Sequence, residues 1–138
     1  MTKECDYAIR IVRSLSSQEM KSVKTICLEE NMPHPFAYKI LKKLENAKIV
    51  RSFRGASGGY QLTKRPDSVT MLDIVSAVDK NLYLNECLQD DYICDNNRHG
   101  KPCSIHAEMK RIQEILNGAL NEKSIAELVP AVTQSAQG

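Results

Sequence analysis

Residues 33–62 read PHPFAYKILKKLENAKIVRSFRGASGGYQL, and the pattern of this stretch predicts a helix followed by a hairpin. The apolar side chains of its first half recur at helical spacing, at Phe36, Ile40, Leu41 and Leu44. Pro35 suits the first position of that helix, where its missing N–H leaves no hydrogen bond unmade. Residues 49–54 alternate as a strand, the glycines of residues 55–59 make a turn, and residues 60–62 return.

Two shorter helices are predicted before this stretch. Residues 6–15 carry apolar side chains at helical intervals, and residues 24–31 show the same pattern over a shorter length. Three short helices followed by a β-hairpin is the order of a winged helix-turn-helix, whose third helix packs its apolar stripe on the first two. We therefore expect a mainly α fold with a small β-hairpin. The winged helix-turn-helix is assigned to residues 1–80, which include a capped helix over residues 71–78.

The third helix leaves cationic and hydrogen-bonding side chains opposite its apolar stripe. On a winged helix this face enters the major groove of DNA, and a glycine-rich basic wing can approach a sugar-phosphate strand or the minor groove. A basic surface on a protein–protein module is the alternative, but the element order and the wing together favour double-stranded operator DNA. The predicted DNA-binding residues are His34, Tyr38, Lys39, Lys42, Arg51, Arg54, Gly55, Ser57, Gly58, Gly59 and Tyr60.

The charge of the chain is unevenly distributed. Residues 1–66 hold 13 Lys and Arg against 6 Asp and Glu, a net of +7, whereas the remainder holds 6 against 11, a net of −5. A basic half suggests binding to a polyanion, and an acidic half indicates a different role for the second part of the chain.

A second motif, CLQDDYICDNNRHGKPCSIH over residues 87–106, gathers three cysteines and a histidine. Cys87, Cys94, Cys103 and His106 make a complete four-ligand set, and thiolates select zinc, Cu(I) or iron–sulfur clusters over hard cations. The spacing C-x6-C-x8-C-x2-H is wider than the usual zinc knuckle, which favours a larger inorganic group. Three unrelated thiols are the alternative, which a polar loop with few apolar neighbours makes less plausible.

Composition restricts the setting of the protein. No apolar run approaches the ~20 residues that span a bilayer, so we expect no membrane segment. The N-terminal residues carry charge and lack the apolar stretch of a signal peptide. Five cysteines is an odd number for a secreted disulfide framework, and a reducing, cytoplasmic location fits better. Cys5 and Cys27 lie within helical patterns and are expected to be buried.

The C-terminal part is predicted to be a long helix followed by a short one, which the pattern Ser124-x-x-Glu127 opens. The long helix, with Ser104 as its cap, repeats apolar residues near heptad spacing, at Ile105, Met109, Ile112, Leu116 and Leu120. An amphipathic helix of this length on a small body needs a partner surface, and a second copy of the chain supplies one. We expect a homodimer, with residues 81–103 as the cysteine-rich loop, 104–129 as the dimerisation region and 130–138 as a loose tail.

These motifs resemble those of the Rrf family of bacterial winged-helix regulators, which includes iron–sulfur and nitric-oxide sensors of the IscR and NsrR types. The resemblance covers about residues 2–129. It is most specific in RGASGGYQLTKRPDSVTMLDIVSAVD, residues 54–79, and in the CSIHA that ends the cysteine loop. The resemblance implies a cytoplasmic homodimer that binds a partly palindromic operator and holds an iron–sulfur cluster near the dimerisation helix.

The resemblance also implies the ligands of that cluster. Cys87, Cys94 and Cys103 match the three thiolates of the family, and His106 matches the fourth ligand of the IscR type. Asp6, in the sequence Asp-Tyr-Ala-Ile-Arg, matches the aspartate that NsrR-like members offer to the cluster of the partner subunit. With His106 the expected cofactor is a [2Fe–2S] cluster, which we favour, and with Asp6 it is a [4Fe–4S] cluster.

Other functions compete with a cluster sensor. A winged helix with a structural zinc explains the ligands but not their wide spacing, and a metal-free thiol switch occurs in the same family. No Ser/His/Asp order, phosphate loop or dinucleotide-binding glycine pattern is present in the sequence, so we expect no enzyme.

Overall fold

The computed structural model describes residues 2–89 and 103–129, and three short helices form the first part of the fold. These helices are α1 at Lys3–Leu15, α2 at Val23–Glu30 and α3 at His34–Asn46. Ser22 begins α2 by accepting a hydrogen bond from the Thr25 backbone N–H, and Asn31 ends it in the left-handed conformation with φ of 51°. The order of three helices predicted from the sequence is confirmed.

The wing is an antiparallel hairpin. It consists of β1 at Val50–Phe53 and β2 at Gly59–Leu62, with residues 54–58 at the tip. Lys21 extends the edge of β2: its N–H donates to the Tyr60 carbonyl at 2.9 Å, and its carbonyl accepts from the Tyr60 N–H at 2.8 Å. These two bonds fix the wing to the segment between α1 and α2.

Three further helices follow the wing. They are α4 at Met71–Val78, α5 at Ser104–Leu120 and α6 at Ile125–Leu128, with single 3-10 turns at Pro66–Ser68 and Glu86–Leu88. Two of them begin with capping boxes. In each, the hydroxyl of the N-cap residue accepts from the backbone N–H of the third helical residue, and the carboxylate of that third residue accepts from the backbone N–H of the N-cap. The pairs are Thr70 with Asp73 at α4 and Ser124 with Glu127 at α6. Both sequence signals are therefore confirmed.

The hydrophobic core lies between α1, α3 and α4 and receives the last helix as well. Its largest fully buried side chains include Ile11, Leu15, Ile26, Ile40, Leu41, Leu44, Ile74 and Ile125. Ile125 belongs to α6, and its backbone N–H donates to the Val69 carbonyl at 2.8 Å. The chain therefore returns from α5 to the winged helix and closes its core with α6. Cys5 and Cys27 are buried in this core, as predicted.

Three local predictions need correction. Pro35 was expected at the first position of α3, but the helix begins at His34 and Pro35 is its second residue. Phe36 was assigned to the buried stripe of α3, but it is 46% exposed, and Ala37 is buried in its place. The reason is geometric: Ala37, Ile40, Leu41 and Leu44 recur at the spacing of one helix face, and Phe36 lies at its margin, where its ring centroid is 5.7 Å from that of Tyr7. Ser104 was expected to cap α5, but it is the first helical residue, and Cys103 precedes the helix as its N-cap.

The long helix α5 carries two different faces. Gln113 is buried and Leu120 packs against the core, so this side of α5 faces the body of the protein. The apolar side chains on the remaining surface are between 37% and 65% exposed in the described part of the chain. They are Ile105, Ile112, Ile115 and Leu116.

None of the helices among the described residues is long and apolar enough to cross a membrane. The predicted ligand Cys94 and the predicted tail, residues 130–138, lie outside the described residues.

Candidate DNA-binding surface and cysteine–histidine site

The first candidate surface is the outer side of α3. Tyr38 is 55% exposed and Lys42 and His34 are also exposed, since the apolar stripe of α3 is turned toward α1 and α4. The opening of α3 at His34 places this side chain in its first turn, where unbonded backbone N–H groups point outward. Exposed phenol, ammonium and imidazole groups on one helix can contact both phosphates and base edges.

Lys39 is held differently from its neighbours. Its ammonium lies 2.8 Å from one oxygen of Glu4 on α1, and the ammonium of Lys43 lies 2.8 Å from the other oxygen. Hydrogen bonding from Lys39 and then from Lys43 lowers the pKa of the Glu4 carboxyl. Part of the positive charge of α3 is therefore used to fix its orientation relative to α1. Sequence reasoning missed Lys43 because the partner is far away in the chain.

A second cationic group lies on the wing. Arg51 on β1 donates to the Gln61 side chain at 3.2 Å, and the Gln61 amide donates in turn to the Gln18 carbonyl at 2.7 Å. The Arg51 guanidinium also lies 5.2 Å from the ring centroid of Phe53, which is on the same face of the strand. This exposed cation is therefore positioned by two contacts. Phe53 was not predicted as a functional residue, although its spacing of two from Arg51 could have indicated the shared face.

The glycines of the wing serve two different purposes. Gly55 adopts φ of 105°, which side chains rarely allow, and it turns the tip beside the exposed Arg54 and Ser57. A Cβ on Gly58 would lie 2.3 Å from the Phe53 carbonyl oxygen, and one on Gly59 would lie 2.3 Å from the Lys21 carbonyl oxygen. Gly58 and Gly59 therefore allow the backbone of the wing to pack closely against Phe53 and Lys21, independently of any contact with DNA.

Tyr60 lies on the opposite face of the hairpin from Arg51. It is partly buried against the core, and burial raises the pKa of its hydroxyl, with smaller contributions from Glu45 and Tyr38. The pairing of Tyr60 with Ser52 puts it on the same face as Val50 and Leu62. Its main structural contribution is thus to pack the wing against the core.

The second candidate site lies at the start of α5. His106 is partly buried, and its Nδ1 atom is fully enclosed without a hydrogen-bond partner among the residues described. Cys103 immediately precedes the helix, and the turn Glu86–Leu88, which carries Cys87, packs against α5. The structure therefore brings the elements carrying three of the predicted ligands to one helix.

The described residues do not by themselves form a complete metal site. Within residues 2–89 and 103–129, no three His, Cys, Asp or Glu side chains converge in a way that could hold a metal ion. The donor set nevertheless suits an iron–sulfur cluster, because thiolates are soft ligands. In addition, a buried imidazole nitrogen without a partner is costly unless something binds it.

The alternative ligand Asp6 already has a partner. Arg10, one turn further along α1, lies with its guanidinium 3.2 Å from one oxygen of Asp6 and donates to the other at 3.3 Å. Arg10 also donates to the Glu30 carbonyl at 3.3 Å, so it is anchored on α2 as well. Arg10 therefore contacts both oxygens of Asp6 and fixes the orientation of this carboxylate.

Comparison with known proteins identifies the class. Residues 1–131 match the Rrf2 family, described as iron-dependent transcriptional regulators. This chain belongs to the Rrf2 family. It is therefore a winged-helix, DNA-binding regulator of transcription, and the family resemblance noted in the sequence is confirmed.

Individual relatives support the same assignment. The chain is 33% identical over 132 residues to the HTH-type transcriptional regulator IscR of Klebsiella pneumoniae (strain 342), covering 94% of this chain and 78% of that protein. It is 34% identical over 85 residues to a putative HTH-type regulator of Synechocystis, covering 59% of this chain and 58% of that protein. The Bacillus subtilis regulator CymR is 34% identical over 88 residues, with 62% and 64% covered.

Solved structures share the fold. That of CymR, the global cysteine regulator of B. subtilis, matches with a TM-score of 0.74 at 23% identity, covering 94% of this chain and 95% of that chain. That of T. potens IscR matches with a TM-score of 0.71 at 19% identity, covering 100% of this chain and 90% of that chain. At these identities the likeness establishes the winged-helix fold.

Proposed function

We propose that this regulator is a homodimer whose affinity for operator DNA depends on an iron–sulfur cluster held by Cys87, Cys94, Cys103 and His106. The observation that carries the proposal is the enclosed Nδ1 of His106, which has no partner in the described part of the chain. A buried nitrogen of this kind is retained at a cost in stability unless it has a ligand to bind. When bound, such a cluster supplies a centre that oxidants and nitric oxide can alter.

The same contacts favour His106 over Asp6 as the fourth ligand. Both oxygens of Asp6 already contact Arg10, whereas Nδ1 of His106 is enclosed and has no hydrogen-bond partner in the described part of the chain. We therefore favour a [2Fe–2S] cluster with three thiolates and one imidazole. A [4Fe–4S] cluster with Asp6 is the alternative.

A homodimer is supported by the exposed apolar side of α5. Ile105 is 65% exposed, and Ile112, Ile115 and Leu116 continue the apolar surface along the helix. A second copy would bury this surface, as in an isologous interface between identical helices. His106 lies on a different side of α5 from these residues, so one helix can serve the ligand site and the interface at once.

The mechanism follows from this arrangement. Two recognition helices on a dimer must meet half-sites about one helical turn, ~34 Å, apart. The Cys87 turn packs on α5, and α5 contacts α4, which packs on the recognition helix α3. A shift of Cys87, Cys103 and His106 would therefore be transmitted through α5 and α4 to the packing of α3. Arg51, Arg54 and Lys42 would supply salt-dependent contacts with phosphates. Tyr38 and His34 would lie nearest to the bases, together with Lys39 once its ammonium leaves Glu4.

A metal-free thiol switch is the second candidate. It is favoured by the likeness to CymR, whose solved structure is named as that of a global cysteine regulator. Under this alternative the thiols of Cys87 and Cys103 would respond to oxidants directly. A structural zinc at the same ligands is a third possibility that the following experiment also resolves.

The deciding experiment is anaerobic purification followed by measurement of iron, sulfide, zinc and the visible spectrum. We expect a coloured protein containing equal amounts of iron and sulfide, which His106→Ala loses far more readily than Asp6→Ala does. If Asp6→Ala alone loses iron and sulfide, Asp6 and not His106 is the fourth ligand. A colourless protein with one zinc, or with no metal, would overturn the cluster proposal in favour of structural zinc or the thiol switch.

A further inference from the structure

Gln113 is an unusual residue for the middle of an exposed helix. It is only 7% exposed, whereas both of its neighbours in the chain, Ile112 and Glu114, are exposed. In the described ranges, Gln113 and Ser14 are the polar residues buried to this degree. A buried amide on α5 needs internal partners, because water does not reach it.

All of the partners of Gln113 come from the segment before Cys87 or from its own helix. Its Oε1 accepts from the Leu84 backbone N–H at 2.8 Å, and its Nε2 donates to the Leu82 carbonyl at 3.0 Å. Nε2 also donates to the Asn117 side chain at 3.0 Å. The amide thus pairs with the backbone of residues 82–84 as a neighbouring strand would, and it fixes that segment in both position and direction.

The spacing relates this contact to two predicted ligands. His106 precedes Gln113 by seven residues, two turns of α5, so both side chains lie on one side of the helix and about 10 Å apart along it. Leu84 precedes Cys87 by three residues, a reach of at most about 11 Å. The segment that Gln113 anchors therefore ends within reach of His106, and Cys87 is the first predicted ligand beyond the anchor.

We propose that Gln113 is a positioning residue that sets the separation between Cys87 and His106. This inference rests on the proposed cluster function. The amide holds residues 82–84 on α5 before any ligand is bound, so the ligands of the loop and of the helix meet in a prepared arrangement. Without these hydrogen bonds residues 82–84 are held less firmly on α5, and the site loses preorganisation.

The test compares Gln113→Met with Gln113→Glu and with the control Glu114→Met. Methionine keeps the length of the side chain and removes all three hydrogen bonds, whereas glutamate keeps the acceptor for Leu84. Glu114→Met makes the same change to methionine at an exposed neighbour. Two readouts are required: hydrogen exchange of the backbone N–H of Leu84 in the metal-free protein, and the lifetime and visible circular dichroism of the cluster after anaerobic reconstitution.

We expect exchange at Leu84 at least tenfold faster in Gln113→Met, with an altered dichroism spectrum and a cluster lifetime at least fivefold shorter. Gln113→Glu should lie between this variant and wild type, and Glu114→Met should match wild type. Unchanged dichroism and lifetime in Gln113→Met would overturn the inference, as would slow exchange at Leu84. Should Gln113→Met fail to fold, Gln113→Glu decides by the same criteria. A wild-type protein without iron would instead reject the proposed function, while the exchange result would still report on the anchor.

Discussion

The winged helix and the helix α5 are built from similar proportions of apolar residues but use them differently. In the winged helix, α1, α3 and α4 pack their apolar side chains against one another, and side chains such as Ile40, Leu41 and Leu44 are fully buried. On α5 the most deeply buried side chain among the described residues is a polar one, Gln113, and isoleucines face outward. The first region buries its apolar side chains within one chain, whereas the second carries the exposed apolar surface and the cysteine–histidine site on which the proposed dimer and cluster depend.

The largest expected effect is on the free energy of unfolding, from a substitution in the core of the winged helix. Leu41→Ala removes a fully buried side chain from α3 and should lower the free energy of unfolding by about 2–5 kcal/mol, because a cavity remains in a closed core. Urea denaturation measures the change. Leu28→Ala on α2 is the matched control, since that leucine is 74% exposed and should lose less than about 0.5 kcal/mol. Equal losses at both positions would contradict the assigned core.

The next largest expected effect is on dimer dissociation, from a substitution in the exposed apolar surface of α5. Ile112→Glu places a charge in the exposed apolar surface of α5 and should raise the dimer dissociation constant at least about 30-fold, the size expected of a central interface residue. Analytical ultracentrifugation measures this constant, and far-ultraviolet circular dichroism should be unchanged. Glu114→Lys, half a turn around the helix, is the control and should leave the dimer intact. A dimer that tolerates Ile112→Glu would place the interface elsewhere.

A smaller effect concerns the wing. Arg54→Ala should weaken binding to a random-sequence duplex of 30 base pairs by about 1 kcal/mol and reduce the slope of log affinity against log salt by about 1. Titrations at several salt concentrations measure both quantities. Arg111→Ala removes the same charge from α5, outside the winged helix, and should change neither. If Arg111→Ala has the larger effect, DNA contacts the acidic half of the chain and the division of roles is wrong.

The smallest expected effect is the pH dependence of the contact between α1 and α3. Lys39 and Lys43 lower the pKa of Glu4, so this carboxylate contributes stability above its ordinary pKa, and that contribution is lost as the pH falls through its lowered value. Glu4→Gln should therefore reduce the loss of stability between about pH 7 and about pH 3.

A matched comparison sharpens the pH prediction. Glu108 on α5 also has a lowered pKa, through its bond to Arg111, but both side chains are exposed. Glu108→Gln should change the pH profile of the unfolding free energy less than Glu4→Gln does, since solvent screens the exposed pair. Identical profiles for the two variants would show that the Glu4 contact adds nothing beyond a surface ion pair.

The sequence predicts the winged helix well because its signals are local. The glycines of the wing and the capping boxes at Thr70 and Ser124 each act over a few residues and are confirmed in the structure. The apolar spacing of α3 is confirmed except at Phe36. The order of elements then restricts the topology to very few arrangements.

The remaining features depend on tertiary contacts that no local pattern encodes. Phe36 has the chemistry of a core residue but lies at the edge of its helix face, beside Tyr7. Gln113 looks like an ordinary surface residue, and its burial becomes apparent only when residues 82–84 are placed beside α5. The pairing of Asp6 with Arg10, which bears on the choice of ligand, is the exception, because its i,i+4 spacing is visible in the sequence.

The most direct test of the proposed sensor is a comparison of DNA affinity with and without the cluster in the same preparation. A duplex selected from a random library by the anaerobic, iron-containing protein would be titrated before and after iron is removed by chelation. We predict a change of about 5- to 150-fold in the dissociation constant, the range typical of coupling between two sites, and a smaller change in His106→Ala. Equal affinity before and after iron removal would contradict a role for the cysteine–histidine site in controlling this regulator.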